Sequence, residues 1–207
     1  MNWMKKVAVA LVCLLPLGLQ AAKVDTLQVK SPSMNKSIEV VVVSPDMAAT
    51  EACPVIYLLH GYGGNARTWV GIKPDLPKIA DEKGIFFVCP DGKNTWYWDS
   101  PLNADVRYET FISDELVKYV DSHYKTVADR KGRAITGLSM GGHGAMWNGL
   151  RHSDVFSAAG STSGGVDIRP FPKNWEMSVQ IGEKAKYPEN WEKYTVINLV
   201  PTLRKDQ

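Results

Sequence analysis

Through the first half of the chain, apolar residues come in short bursts rather than long stripes. Residues 24–46, VDTLQVKSPSMNKSIEVVVVSPD, run apolar on either side of a Ser/Pro/Asn turn, which predicts an antiparallel hairpin. VIYLLH at 55–60 and IFFVCP at 85–90 are continuous apolar runs, as strands buried on both faces require. Between them, DLPKIADEK at 75–83 has helical spacing and stops at Gly84. Residues 108–124 place apolar side chains at 111, 112, 116, 119 and 120, which a helix gathers on one side. RAITG (133–137), MGGHGAMWNGLR (140–151) and FSAAGSTSG (156–164) then predict a strand, a helix and a strand of small residues. Strands alternating with helices mean an α/β domain, with a mostly parallel sheet and helices on both faces. From 165 to 207 the chain becomes rich in Pro, Trp, Lys and Glu. A helix over 189–200 is expected there, and no further buried strand.

The same pattern bears on the cysteines. Cys53 precedes one predicted strand and Cys89 ends the other. If the two strands are parallel neighbours, the thiols sit about 20 Å apart at 3.3 Å per residue. A disulfide allows roughly 7 Å between Cα atoms. Both are expected to be free.

The start of the chain reads differently. Lys5 and Lys6 precede an apolar run from Val7 to Leu19, and Ala21 and Ala22 follow, the three parts of a secretory signal peptide over 1–22. A membrane anchor needs about 20 apolar residues, whereas this run is shorter and interrupted by Pro16 and Gly18. Val12 before Cys13 argues against a lipoprotein. The expectation is an exported protein, periplasmic or secreted, without a stable membrane anchor. Residues 23–207 then form a single domain. Without Lys5 and Lys6 the chain has 22 basic and 22 acidic residues, so no nucleic-acid partner is expected.

Two motifs carry chemistry. GLSMG at 137–141 fits G-x-S-x-G between a predicted strand and a predicted helix, the context in which this motif presents a nucleophilic serine. Ser139 is therefore the candidate nucleophile. The Met140 amide, at a helix N-terminus, is a candidate oxyanion donor. LLHGYGG at 58–64 is a strand running into His-Gly and a glycine-rich loop, where the Tyr62 amide would supply the second donor. His60, at a strand end beside so tight a loop, reads as a brace rather than a base. In the loop TWYWDS (95–100), Trp96 and Tyr97 are candidate substrate contacts, with Trp98 ranked below them.

LLHGYGG, CPDGKNTWYWDSP, YVDSHY and ITGLSMGGHGA together resemble the esterase D-type α/β-hydrolases. That group includes S-formylglutathione hydrolases, bacterial tributyrin and feruloyl esterases, and mycolyltransferases. The resemblance runs from about residue 25 to the end. It implies the α/β-hydrolase fold, Ser139 as nucleophile of a carboxylic-ester hydrolase, the Tyr62 and Met140 amides as oxyanion hole, and neither metal nor organic cofactor. The implied partner is a small-molecule or polysaccharide-linked ester.

The serine's partners are harder to place. In this fold the acid and then the histidine follow the serine. His143 and His152 lie on the helix that supports Ser139, and His123 precedes its strand. Asp154 and Asp167 come early, and Asp206 has no strand before it. The expectation is a domain incomplete at its C-terminus, lacking the last two strands with the acid and histidine. Coding sequence beyond Gln207 would supply them. A non-catalytic protein that binds acyl or carbohydrate ligands is the alternative. Without flanking strands, 156–164 would form an exposed edge prone to aggregation.

Overall fold

The computed structural model describes residues 22–203; the proposed signal segment up to residue 21 and Asp206 lie outside them. Strands β1 (Lys23–Ser31) and β2 (Lys36–Ser44) form the expected hairpin. β3 (Val55–Leu59) leads through α1 (Thr68–Ile72) and α2 (Leu76–Lys83) to β4 (Phe86–Pro90). α2 ends, as expected, on Gly84. The long helix follows as α3 (Tyr108–Thr110), a π turn (Phe111–Glu115) and α4 (Leu116–His123). β5 (Arg133–Gly137), α5 (Met140–Arg151) and β6 (Ala158–Ala159) complete the core, and α6 (Met177–Ile181) and α7 (Pro188–Lys193) follow.

The sheet order is β1-β2-β4-β3-β5-β6. β1, β2 and β4 pair antiparallel, while β4, β3, β5 and β6 are parallel. The four parallel strands thus end at one edge, the same edge at which β2 begins. Alternate residues feed two cores: Val40 and Val42 join Tyr57, Leu59, Phe86, Ile135 and Trp147 on one face. Val41 and Val43 join Leu58, Phe87, Leu76 and Ala80 on the other. Burial on both faces is why these strands read as unbroken apolar runs. Val55 pairs with Phe86, which leaves Cys53 and Cys89 toward opposite ends, both buried and both free.

Three elements differ from the sequence expectation. The strand expected over 156–164 is regular only at Ala158–Ala159, with one further bridge from Leu138 to Thr162. It has no outer neighbour among the described residues to regularise it, and both alanines are exposed. The helix expected over 189–200 breaks after Lys193, because Thr195 is extended and its hydroxyl donates to the Trp191 carbonyl at 2.6 Å. A 3-10 turn over Val196–Thr202 replaces its second half. The π turn was not legible from periodicity. It begins two residues after Glu109, a buried carboxylate that accepts from Trp147 Nε1, Arg151 Nε and His152 Nε2 at 2.7–2.9 Å.

Candidate active site

Ser139 is the second of the two residues between β5 and α5, and its backbone is left-handed, with φ 54° and ψ −116°. A non-glycine residue held there stores on the order of 1–3 kcal/mol of strain. The flanking glycines make the turn possible. A Cβ on Gly137 would sit 2.3 Å from the Gly141 backbone, and one on Gly141 would sit 2.2 Å from the Leu59 carbonyl oxygen. Hydrogen bonds fix the turn on both sides: the Ser139 amide donates to Thr162 at 2.8 Å and the Leu138 amide to Leu59 at 3.2 Å.

This turn opens into a cavity of about 310 Å³ walled by Tyr62, Trp96, Ser139, Met140, Phe171 and Trp175. Neither the Tyr62 nor the Met140 amide donates a hydrogen bond within the described residues. The Tyr62 loop is tied down from the far side of the cavity. The Gly63 amide donates to Asn94 Oδ1 at 2.9 Å, and Asn94 Nδ2 reaches Glu176 at 3.4 Å. The Glu176 carboxylate facing the Tyr62 phenol raises that phenol's pKa.

The loop aromatics divide. Trp96 lines the cavity, and its Nε1 donates to the Trp175 carbonyl at 3.1 Å. Tyr97 does not, which corrects its place among the substrate contacts. It is fully buried, its hydroxyl donates to the His60 carbonyl at 3.0 Å, and its ring packs over Gly92 and Gly144. Trp98 is buried as well and stacks on Trp96.

All four histidines are engaged elsewhere. His60 donates from Nδ1 to the Gly61 carbonyl at 2.8 Å and accepts at Nε2 from the Gly92 amide at 2.9 Å. It braces the loop. His143 bonds the Gly165 carbonyl through Nδ1 at 2.7 Å, and its Nε2 accepts from Trp98 Nε1 at 3.0 Å. His152 bonds Glu109, and His123 stacks on Tyr119. Asp167 reaches the cavity wall, but its two oxygens accept from Nε and an Nη of Arg169, both at 2.8 Å.

His143 carries a pH signature. Burial lowers its pKa to about 4. The unfolded chain takes up a proton below about 6.5 while the folded one does not, so stability is full above 6.5 and falls as pH drops toward 4. Between pH 6.5 and 5, above the carboxylate range, about 2 kcal/mol should be lost. Urea unfolding at stepped pH checks this. The slope should flatten in His143→Gln, and an unchanged slope there would assign it to other groups.

Residues 31–206 match the family model "Putative esterase". The chain belongs to the esterase family. The chain is 30% identical over 149 residues to an esterase of Mycobacterium tuberculosis; the match covers 69% of this chain and 32% of that protein. The chain thus spans about a third of that relative's length. A solved ferulic acid esterase is 28% identical with a TM-score of 0.69, over 90% of this chain and 74% of the other. An S-formylglutathione hydrolase from Agrobacterium tumefaciens has the same fold at 23% identity, with a TM-score of 0.73 over 88% and 72% of the two chains. The α/β-hydrolase architecture is therefore that of this chain. Phe171, Trp175 and Glu176 were not singled out from its sequence. The available signal was the aromatic content of RPFPKNWEM, which composition alone assigns to a tail.

Proposed function

We propose that this protein is an exported serine hydrolase of carboxylic esters that works through an acyl-enzyme at Ser139. The observation that carries the reading is the strained serine at the sheet's carboxyl edge, facing one cavity with two amides that have no acceptor. In the reaction, Oγ attacks the ester carbonyl carbon and gives its proton to a base. The Tyr62 and Met140 amides hold the oxyanion while the C–O bond to the alcohol breaks and the base hands its proton to the departing oxygen. Water then releases the acid by the reverse sequence. We further propose that the triad acid and histidine lie outside these 207 residues, since each of the four histidines is held by other partners.

The aromatic walls favour an apolar or aryl acyl group. The likeness to a ferulic acid esterase, together with the signal-like N-terminus, favours an ester carried on extracellular polysaccharide. The test uses protein expressed from the full gene, assayed on p-nitrophenyl esters, acetylated xylan and feruloylated sugars. Ester turnover is expected, and Ser139→Ala should lower kcat by roughly 10⁶. No turnover of any ester would sink the reading. Trp175→Ala should raise KM for feruloyl esters roughly tenfold, about 1.4 kcal/mol of lost contact, while acetyl esters change little. Equal effects on both acyl groups would remove Trp175 from the acyl wall.

A second reading applies to the 207 residues by themselves, in which the cavity binds acyl or carbohydrate ligands without turnover. The committed histidines favour it. Unchanged ligand affinity in Ser139→Ala is its expected mark.

A further inference from the structure

Behind the oxyanion loop lies a second concavity that the ester chemistry does not use. It is a groove of about 430 Å³, within the range of small-molecule sites. Buried Tyr108 and Asp91 line it, and its other walls include Gln28, Glu39, Asn65 and Arg67. Its place in the fold is defined by the sheet. Asp91 follows β4, Glu39 lies near the start of β2, and the Asp91 amide donates to the Glu39 carbonyl at 2.9 Å. This is the edge at which Ser139 follows β5. From β5 to β2 there are three strand spacings, about 14 Å. One loop separates the two sites, with Tyr62 walling the cavity and Asn65 and Arg67 walling the groove.

The groove is full of charge but offers little net charge. Arg67 faces Glu39 at 3.7 Å, and Lys93 faces Asp91 at 2.7 Å. Lys36 donates to the Asp105 carbonyl at 3.1 Å and lies over the Tyr108 ring. An anion would have to break these pairs, and an apolar ligand would desolvate them without return. A hydroxyl is donor and acceptor at once, so it fits a surface where the two alternate side by side.

We propose that this groove binds a neutral oligosaccharide, the alcohol part of the ester whose acyl group occupies the Ser139 cavity. The proposal rests on the esterase reading for what the sugar carries, but not for whether the sugar binds. An apolar cavity and a hydroxyl-matching groove, separated by a single loop, suit a ligand with one apolar end and one polyhydroxylated end.

The test is a titration of the 207-residue chain with xylotetraose, trigalacturonate, and xylotriose carrying one ferulate ester, followed by amide chemical shifts. Xylotetraose is expected to shift the amides of Asn65, Arg67 and Lys93. Gln28→Ala and Arg67→Ala, both at exposed positions, should each weaken it roughly tenfold. The feruloylated sugar should bind more tightly and also shift residues of the Ser139 cavity. No binding of xylotetraose, shifts confined to other surfaces, or affinity indifferent to both substitutions would overturn the groove. Tighter binding of trigalacturonate than of xylotetraose would overturn its neutral-ligand assignment. If xylotetraose binds there but the ferulate adds nothing, the groove stands and the ester reading of the cavity falls.

Discussion

Gly141→Ala is expected to destabilise this protein by more than the roughly 1–3 kcal/mol typical of an overpacked core. The added methyl would lie 2.2 Å from the Leu59 carbonyl oxygen, 2.5 Å from its carbon and 2.6 Å from the His60 oxygen. These are backbone atoms at the carboxyl end of a central strand, so no side chain can turn aside to make room. Relief requires α5 to move off β3, which also moves the Met140 amide. Out of a total stability of about 5–15 kcal/mol, that is a large share. Gly71→Ala is the control, since a Cβ there meets nothing within 4 Å inside α1. It should be neutral or stabilising by up to about 1 kcal/mol. Urea midpoints of the two variants decide the matter. If Gly141→Ala unfolds at the parent's midpoint, the tight approach of α5 to β3 is not real.

The 207-residue chain should react with a fluorophosphonate roughly 10⁶-fold more slowly than a serine hydrolase with an intact triad. The argument concerns the proton. Attack by Oγ needs a base to receive it, and a serine hydroxyl alone is a poor nucleophile. Among the described residues, every histidine nitrogen with an assigned bond is engaged away from Ser139, and Asp167 is held by Arg169. The two amides remain, and oxyanion stabilisation with binding leaves about 10³–10⁴ of catalysis over water in triad enzymes stripped of a member. Intact-protein mass spectrometry against time gives the rate, and Ser139→Ala defines the background. Rapid stoichiometric labelling that disappears in Ser139→Ala would mean a group in this chain already serves as base.

The core strands were legible because burial on both faces leaves unbroken apolar runs, and the serine because two glycines and two flanking elements must coincide to make its turn. The brace role of His60 was legible for a related reason: a tight glycine loop leaves unpaired backbone groups beside it, and a histidine at the strand end can satisfy two of them. Trp96 and Tyr97 were not separable. Both have positive φ, 60° and 59°, so neither the two-residue strand period nor the helical period says which faces the cleft. The cavity's far wall was invisible because its contacts join residues about eighty positions apart, Asn94 to Glu176 and Trp96 to Trp175. β6 read longer than it is because small β-compatible residues predict a strand whether or not a neighbour pairs with it.

The left-handed backbone of Ser139 also sets two pressures against each other at one position. Glycine adopts φ 54° without the penalty that serine meets there, so the single step Ser139→Gly relieves strain and removes the hydroxyl together. Chance substitution and thermodynamic stability therefore favour the same residue, and only use of the hydroxyl opposes it. On the proposed reading of Ser139 as nucleophile, the hydroxyl is what sets serine against glycine here, at the cost of the strain it keeps in place.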